Sequence, residues 1–156
     1  MHKYARLAVS IVICQLAGVI GAIFTTPNIA SWYVTLNKPS FTPPNWVFGP
    51  VWITLYTLMG ISAWIIWEKG AKKKATRETL YPFGAQLALN TIWSILFFGL
   101  KSPLYGLMAI VPLWLLILYT ILKFYKIDKT AAYLLVPYIL WGTVATYLNY
   151  MVWLLN

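Results

Sequence analysis

The chain reads as five apolar runs joined by short polar connections. The runs lie near Leu7–Thr26, Val47–Trp67, Leu80–Leu100, Pro103–Leu122 and Ala131–Leu155, and none contains a charged residue. About 20 helical residues cross the ~30 Å hydrocarbon core of a bilayer. Backbone groups find no water there, so only helices and closed barrels span it, and these unbroken runs lack the alternation of barrel strands. The pattern predicts an all-α membrane protein, a bundle of five transmembrane helices forming one domain over residues 1–156.

Helical spacing sorts the runs into faces. Ser10, Cys14, Gly18 and Ala22 recur every four residues on the first helix. Small side chains at this spacing let backbones approach closely, either inside the bundle or at a homodimer face. Gly84 and Ala88 form a shorter pair of the same kind on the third. Phe48, Trp52 and Tyr56 share a face of the second helix, Gln86, Asn90, Trp93 and Phe97 of the third, and Tyr138, Trp141, Ala145 and Asn149 of the fifth. Taken singly, each stripe reads first as packing, with the amides as interhelical hydrogen-bonding groups. Trp32, Trp46 and Trp153 read first as anchors at the membrane interface.

One connection departs from the rest. Trp32 to Tyr56 holds seven aromatic residues, four prolines and a single charge, Lys38. Long connections are frequently functional, and Pro39, Pro43, Pro44 and Pro50 restrict the backbone and remove donors. Asn45 stands where an N-cap of the second helix is expected. Three aromatic and neutral-polar faces beneath such a loop predict an apolar pocket for a flat ligand, with residues 28–46 as its lid.

Charge sets the orientation. The chain carries +9, which in a soluble protein would point to nucleic acid, but only 10% of its residues are charged. With five spans, Lys3, Arg6, Lys69, Lys72, Lys73, Lys74, Arg77, Lys123, Lys126 and Lys129 fall at one end, and Lys38 and Lys101 at the other. Basic loops stay cytoplasmic, so the N-terminus is expected inside, the C-terminus outside, and no nucleic-acid partner is implied. The basic loops meet the headgroups of the lipid bilayer. The first apolar run, about 20 residues, exceeds the core of a secretion signal, so it is expected to be a retained helix.

Chemistry is narrowly bounded. Glu68, Glu78 and Asp128 all lie in the basic loops, Cys14 is the only cysteine and His2 the only histidine. Clustered metal ligands are therefore absent, and no intramembrane carboxylate is available for ion-coupled transport. No cofactor is required.

At the aromatic stripes the sequence resembles the translocator protein family, also called tryptophan-rich sensory proteins or peripheral benzodiazepine receptors. The resemblance rests on Trp32-Tyr33, Leu36-Asn37-Lys38-Pro39, Pro43-Pro44, Phe48, Pro50-Val51-Trp52 and Leu55-Tyr56. Gln86-Leu87, Asn90, Trp93-Ser94 and Phe97-Phe98 extend it, as do Val136-Pro137-Tyr138, Trp141, Ala145 and Leu148-Asn149. It implies a pocket for porphyrins such as protoporphyrin IX and for synthetic isoquinoline carboxamides and benzodiazepines. Its implied lining is Trp32, Pro44, Trp46, Phe48, Trp52, Tyr56, Gln86, Asn90, Trp93, Tyr138, Trp141 and Ala145. Bacterial relatives are described as promoting light-dependent breakdown of protoporphyrin IX, and Trp52 and Trp141 match the tryptophans tied to that reaction. The cholesterol motif of animal members needs a basic residue after a tyrosine late in the fifth helix. Here Tyr150 is followed by MVWLLN, a departure that fits a member from a bacterial cell membrane. Receptor or sensor, porphyrin-degrading enzyme and passive porphyrin or lipid transporter all remain open at this level.

Overall fold

In the computed structural model, which describes residues 2–156, the apolar runs become helices: α1 (Lys3–Ser31), α2 (Asn45–Glu68), α3 (Lys74–Ser94), α4 (Pro103–Tyr125), α5 (Lys129–Leu134) and α6 (Val136–Leu155). The described residues contain no strand. α5 and α6 form one rod interrupted only at Leu135, just before Pro137, which cannot donate to the carbonyl of Tyr133. Four rods are long and apolar enough to cross a membrane: α1, α2, α4 and Lys129–Leu155. α3 falls outside that group. It begins at Lys74 rather than Leu80, includes Arg77 and Glu78 in its first turns, and spends Thr76, Thr79, Gln86 and Asn90 on its buried face.

Other boundaries also move. α1 runs on to Ser31, through Pro27. α2 starts at Asn45 with Pro44 in the capping position, so Asn45 is the first helical residue and not the cap. Beyond α3 the chain widens into a π-helical turn, Ile95–Gly99. Ser102 then caps α4, its hydroxyl accepting from the Tyr105 N–H at 3.2 Å, and Pro103 takes the first turn, where a missing N–H costs nothing.

The rods close into a ring. α1 packs between α2 and α3, α4 packs between α3 and α6, and α5 completes the circle against α2. The α1–α2 seam is tight. The Ser10 hydroxyl donates to the Gly60 carbonyl at 2.7 Å, and a β-carbon on Gly60 would lie 2.6 Å from the Ile11 backbone. Ser10 and Cys14 are buried, so this half of the small-residue stripe is used within the chain. The opposite face of α1 leaves Val12, Ile13, Leu16, Ile20 and Ile23 exposed. Such a contiguous apolar face is stable in lipid and not in water.

The two ends of the bundle differ. At one, Arg6 pairs with Glu68 and Lys69 with Asp128. The Asp128 carboxylate also accepts from the Ala131 N–H at 3.0 Å, capping α5, and this bond with Lys69 holds it below the usual carboxylate range. At the other end, the loop following α1 meets Asn156. The Asn37 N–H donates to Asn156 Oδ1 at 3.1 Å, and Asn156 Nδ2 donates back to the Asn37 carbonyl at 2.9 Å.

Candidate ligand-binding site

The half of the bundle nearest this loop encloses a cavity of ≈ 340 Å³. Four walls build it. α2 supplies Phe48, Trp52 and Tyr56, spaced one turn apart. α3 and the π-turn supply Trp93, Phe97 and Phe98, and α6 supplies Trp141 and Ala145. The fourth wall is α1, through Gly18, Ala22 and Thr25. Phe97 and Phe98 lie in the π-turn, both buried, with their rings edge-to-face at 4.8 Å, and they meet Trp32 and Tyr33 at the loop end of the cavity.

The rings form a continuous surface. Trp52 lies 5.7 Å from Tyr56 and 6.4 Å from Trp93, Trp93 stacks on Phe97 at 5.6 Å, and Phe48 meets Trp141 edge-on at 5.7 Å. Polar groups are few and placed. Trp93 Nε1 donates to Asn149 Oδ1 at 2.9 Å, while Asn149 Nδ2 donates to the Pro103 carbonyl at 2.8 Å. One amide thereby fixes a cavity tryptophan and the start of α4. Trp141 Nε1 is buried with no hydrogen-bond partner. The cavity opens on the flank between α1 and α2, where its lining residues Val19 and Ile53 are 56% and 62% exposed. Below the opening, Gln15 Nε2 bridges to the Ile53 carbonyl and the Thr57 hydroxyl.

Of the twelve residues expected at the site, Phe48, Trp52, Tyr56, Trp93, Trp141 and Ala145 border this cavity. Gln86, Asn90 and Tyr138 sit one layer deeper as a buried triad. The Tyr138 hydroxyl donates to Gln86 Oε1 at 2.7 Å and accepts from Asn90 Nδ2 at 2.9 Å, directly behind Trp52. Trp32 packs from outside onto Phe97 and Phe98. Pro44 precedes α2, and Trp46 is 75% exposed. From the loop it is Tyr33 that reaches the cavity. The short 3-10 turn Tyr33–Thr35 rotates it inward, and the Lys38 ammonium lies 4.8 Å over its ring. The α1 wall was the residue set least visible from sequence, although Gly18 and Ala22 belong to the small-residue stripe. Smallness there makes room for the Tyr56 ring, which would sit 2.6 Å from a β-carbon at Gly18.

The sequence profile of the TspO/MBR family matches residues 10–154. The chain belongs to this family. It is 44% identical to "Tryptophan-rich protein TspO" of Archaeoglobus fulgidus, over 97% of both chains. It is 45% identical to the protein of the same name from Chlorobaculum tepidum, over 96% of this chain and 95% of that one. Similarity reaches the human "Translocator protein", 37% identical over 86% of this chain and 80% of the human one. Membership and the apolar rods together make this an integral membrane protein of the TspO/MBR type, built as a helical bundle.

Proposed function

We propose that this protein is a membrane receptor for flat tetrapyrroles, with protoporphyrin IX as the representative ligand and isoquinoline carboxamides and benzodiazepines as synthetic occupants of the same site. The observation that carries the reading is the cavity of ≈ 340 Å³ walled by Trp52, Trp93 and Trp141 with few polar groups. Small-molecule sites have this size and composition, and π-faces stack on aromatic walls. A macrocycle larger than the enclosed space extends through the gap between Val19 and Ile53 into lipid. The expected lid of residues 28–46 reduces to the loop between α1 and α2, residues 32–44, with Tyr33 as its inner face. In this reading α3 also spans the bilayer, its polar groups being satisfied by Tyr138 and by its own helix, which makes five spans in a single domain. The basic end then faces the cytoplasm, and the loop and the C-terminus lie outside a bacterial cell membrane.

The test is a dark titration of purified protein with protoporphyrin IX, followed by quenching of tryptophan fluorescence. Wild type should saturate. Trp52→Phe and Trp141→Phe keep the apolar walls and should weaken binding by about tenfold or less, in line with an aromatic contact of ~0.5–1.5 kcal/mol. Absence of saturable quenching above a detergent blank would overturn the receptor reading.

A second reading, light-dependent porphyrin degradation, is favoured by two features. Trp52 is in ring contact with Tyr56, Trp93 and Tyr138, an electron-rich array, and Trp141 Nε1 has no competing partner. Illuminating the same complexes under dioxygen separates the readings. A defined product that disappears in both variants while binding persists supports the enzyme, and bleaching equal to that of detergent-bound porphyrin leaves a receptor.

A further inference from the structure

A second depression lies on the other flank of the bundle, at its basic end. It is a shallow groove of ≈ 500 Å³ between the start of α3 and the end of α4, lined by Glu78, Tyr81, Pro82, Ala85, Leu116, Tyr119 and Lys123. The groove is far from the aromatic cavity and shares no residue with it. Its lower part, Pro82, Ala85 and Leu116, is apolar. Its upper part holds one carboxylate and one ammonium, each carried on a different helix.

These two charges are not spent on one another. Glu78 meets Lys74 at 3.6 Å on its own helix, a contact in which both side chains are largely exposed; such pairs contribute little. Lys123 is half-buried, lies 5.5 Å over the Tyr119 ring, and among the described residues has no carboxylate in ion-pairing range. Pro82 adds an acceptor. Having no N–H, it leaves the Glu78 carbonyl without its ordinary helical donor. Tyr81 and Tyr119 are exposed beside the charges, 71% and 47%, and tyrosine is a side chain favoured at membrane interfaces. The groove therefore offers two acceptors on α3, a cation on α4 and an apolar trough.

We propose that this groove is a binding site for a phospholipid with a primary-amine headgroup, the phosphatidylethanolamine class. The lipid ammonium donates to the Glu78 carboxylate and to the Glu78 carbonyl, the phosphate accepts from Lys123, and an acyl chain lies along Pro82, Ala85 and Leu116. Charge complementarity selects the occupant. A purely anionic headgroup would satisfy Lys123 but be repelled by Glu78. A choline headgroup carries the positive charge but has no N–H to donate to the two acceptors. The proposal rests on α3 lying in the bilayer beside α4, and it is independent of what the aromatic cavity binds.

The experiment is native mass spectrometry of the detergent-solubilised full chain, offered short-chain phosphatidylethanolamine, its N-monomethyl and N,N-dimethyl derivatives, phosphatidylcholine and phosphatidylglycerol at equal concentration. Retention on the unaltered protein should hold at the N-monomethyl lipid, which keeps two N–H groups for the two acceptors, fall at the N,N-dimethyl lipid, and be about fivefold lower at choline. Glu78→Leu removes the side-chain acceptor and leaves the carbonyl, so it should narrow the preference for ethanolamine over choline, and Lys123→Gln should weaken both lipids alike. Equal retention of all five lipids overturns the proposal, as does preferred retention of phosphatidylglycerol. Should the two substitutions change only the fraction of dimer, the groove is a contact between two copies of the chain and the lipid assignment fails. The methylation series needs no variant, so it remains decisive even where a substitution impairs folding. Impermeant labelling of a cysteine introduced at Ala85 tests the embedding of α3 separately, so its failure is not confused with failure of headgroup selection.

Discussion

Single side chains decide how the cavity wall is held. Tyr138 is fully buried and sits between Gln86 and Asn90, its hydroxyl donating a hydrogen bond to the first and accepting one from the second. Tyr138→Phe keeps the ring against Trp52 and strands both amides. An interhelical hydrogen bond in a membrane protein contributes ~0.6 kcal/mol on average, whereas a buried group left unsatisfied costs ~1–3 kcal/mol. With two groups stranded, the second effect should dominate. The expected loss is about 2 kcal/mol, measured as a lower melting temperature in detergent, with protoporphyrin IX affinity altered less than in Trp52→Phe. An unchanged melting temperature would show that the triad does not brace the wall. The aromatic members of the site were legible because Phe48, Trp52 and Tyr56 follow helical spacing. Trp32 and Tyr33 were not separable in this way. Adjacent residues in an irregular loop have no period, and only the 3-10 turn determines which of them faces inward.

At the scale of elements, the loop between α1 and α2 is ordered by polar contacts, and its prolines are only part of the cause. Lys38 Nζ donates to the carbonyls of Tyr33 and Leu36 at 2.9 and 3.0 Å, and the Thr42 hydroxyl donates to the Pro39 carbonyl. Asn156 then ties the middle of the loop to the end of α6 through both atoms of its amide. Asn156→Ala should release this clasp with little effect on the bundle, since the site is exposed. Dissociation of protoporphyrin IX in stopped-flow should accelerate about fivefold, the equivalent of one net hydrogen bond of ~1 kcal/mol, while the melting temperature holds. An unchanged off-rate would mean that the loop does not govern release. Element ends were the part of the fold least legible. α3 begins six residues before its apolar run, and the π-turn after it carries no compositional mark. Both depend on partners elsewhere in the ring.

For the whole molecule, the Arg6–Glu68 and Lys69–Asp128 pairs hold the start of α1 and the α2–α3 and α4–α5 connections together at one end, and the Asn37–Asn156 clasp holds the first loop against the end of α6. Sidedness in a membrane follows as a prediction. In intact cells an impermeant maleimide should label Ser40→Cys and spare Lys72→Cys, both of which are exposed positions, while native Cys14 is buried. Reversed labelling would overturn the orientation, and equal labelling would overturn the crossing of the membrane by α2, the helix between the two positions. Length, hydropathy and charge asymmetry are local sums along the chain, and so the sequence by itself determined a helical membrane bundle, its aromatic stripes and the sorting of its charges to two ends. Register between helices is not a local sum. It is set by contacts such as Gly60 on Ile11 and Tyr56 on Gly18, which bring together residues more than 35 positions apart. For that reason only the tertiary structure decided that α1 forms a wall of the cavity, that the Gln86–Asn90–Tyr138 triad lies behind it, and that Trp52, Trp93 and Trp141 surround one space.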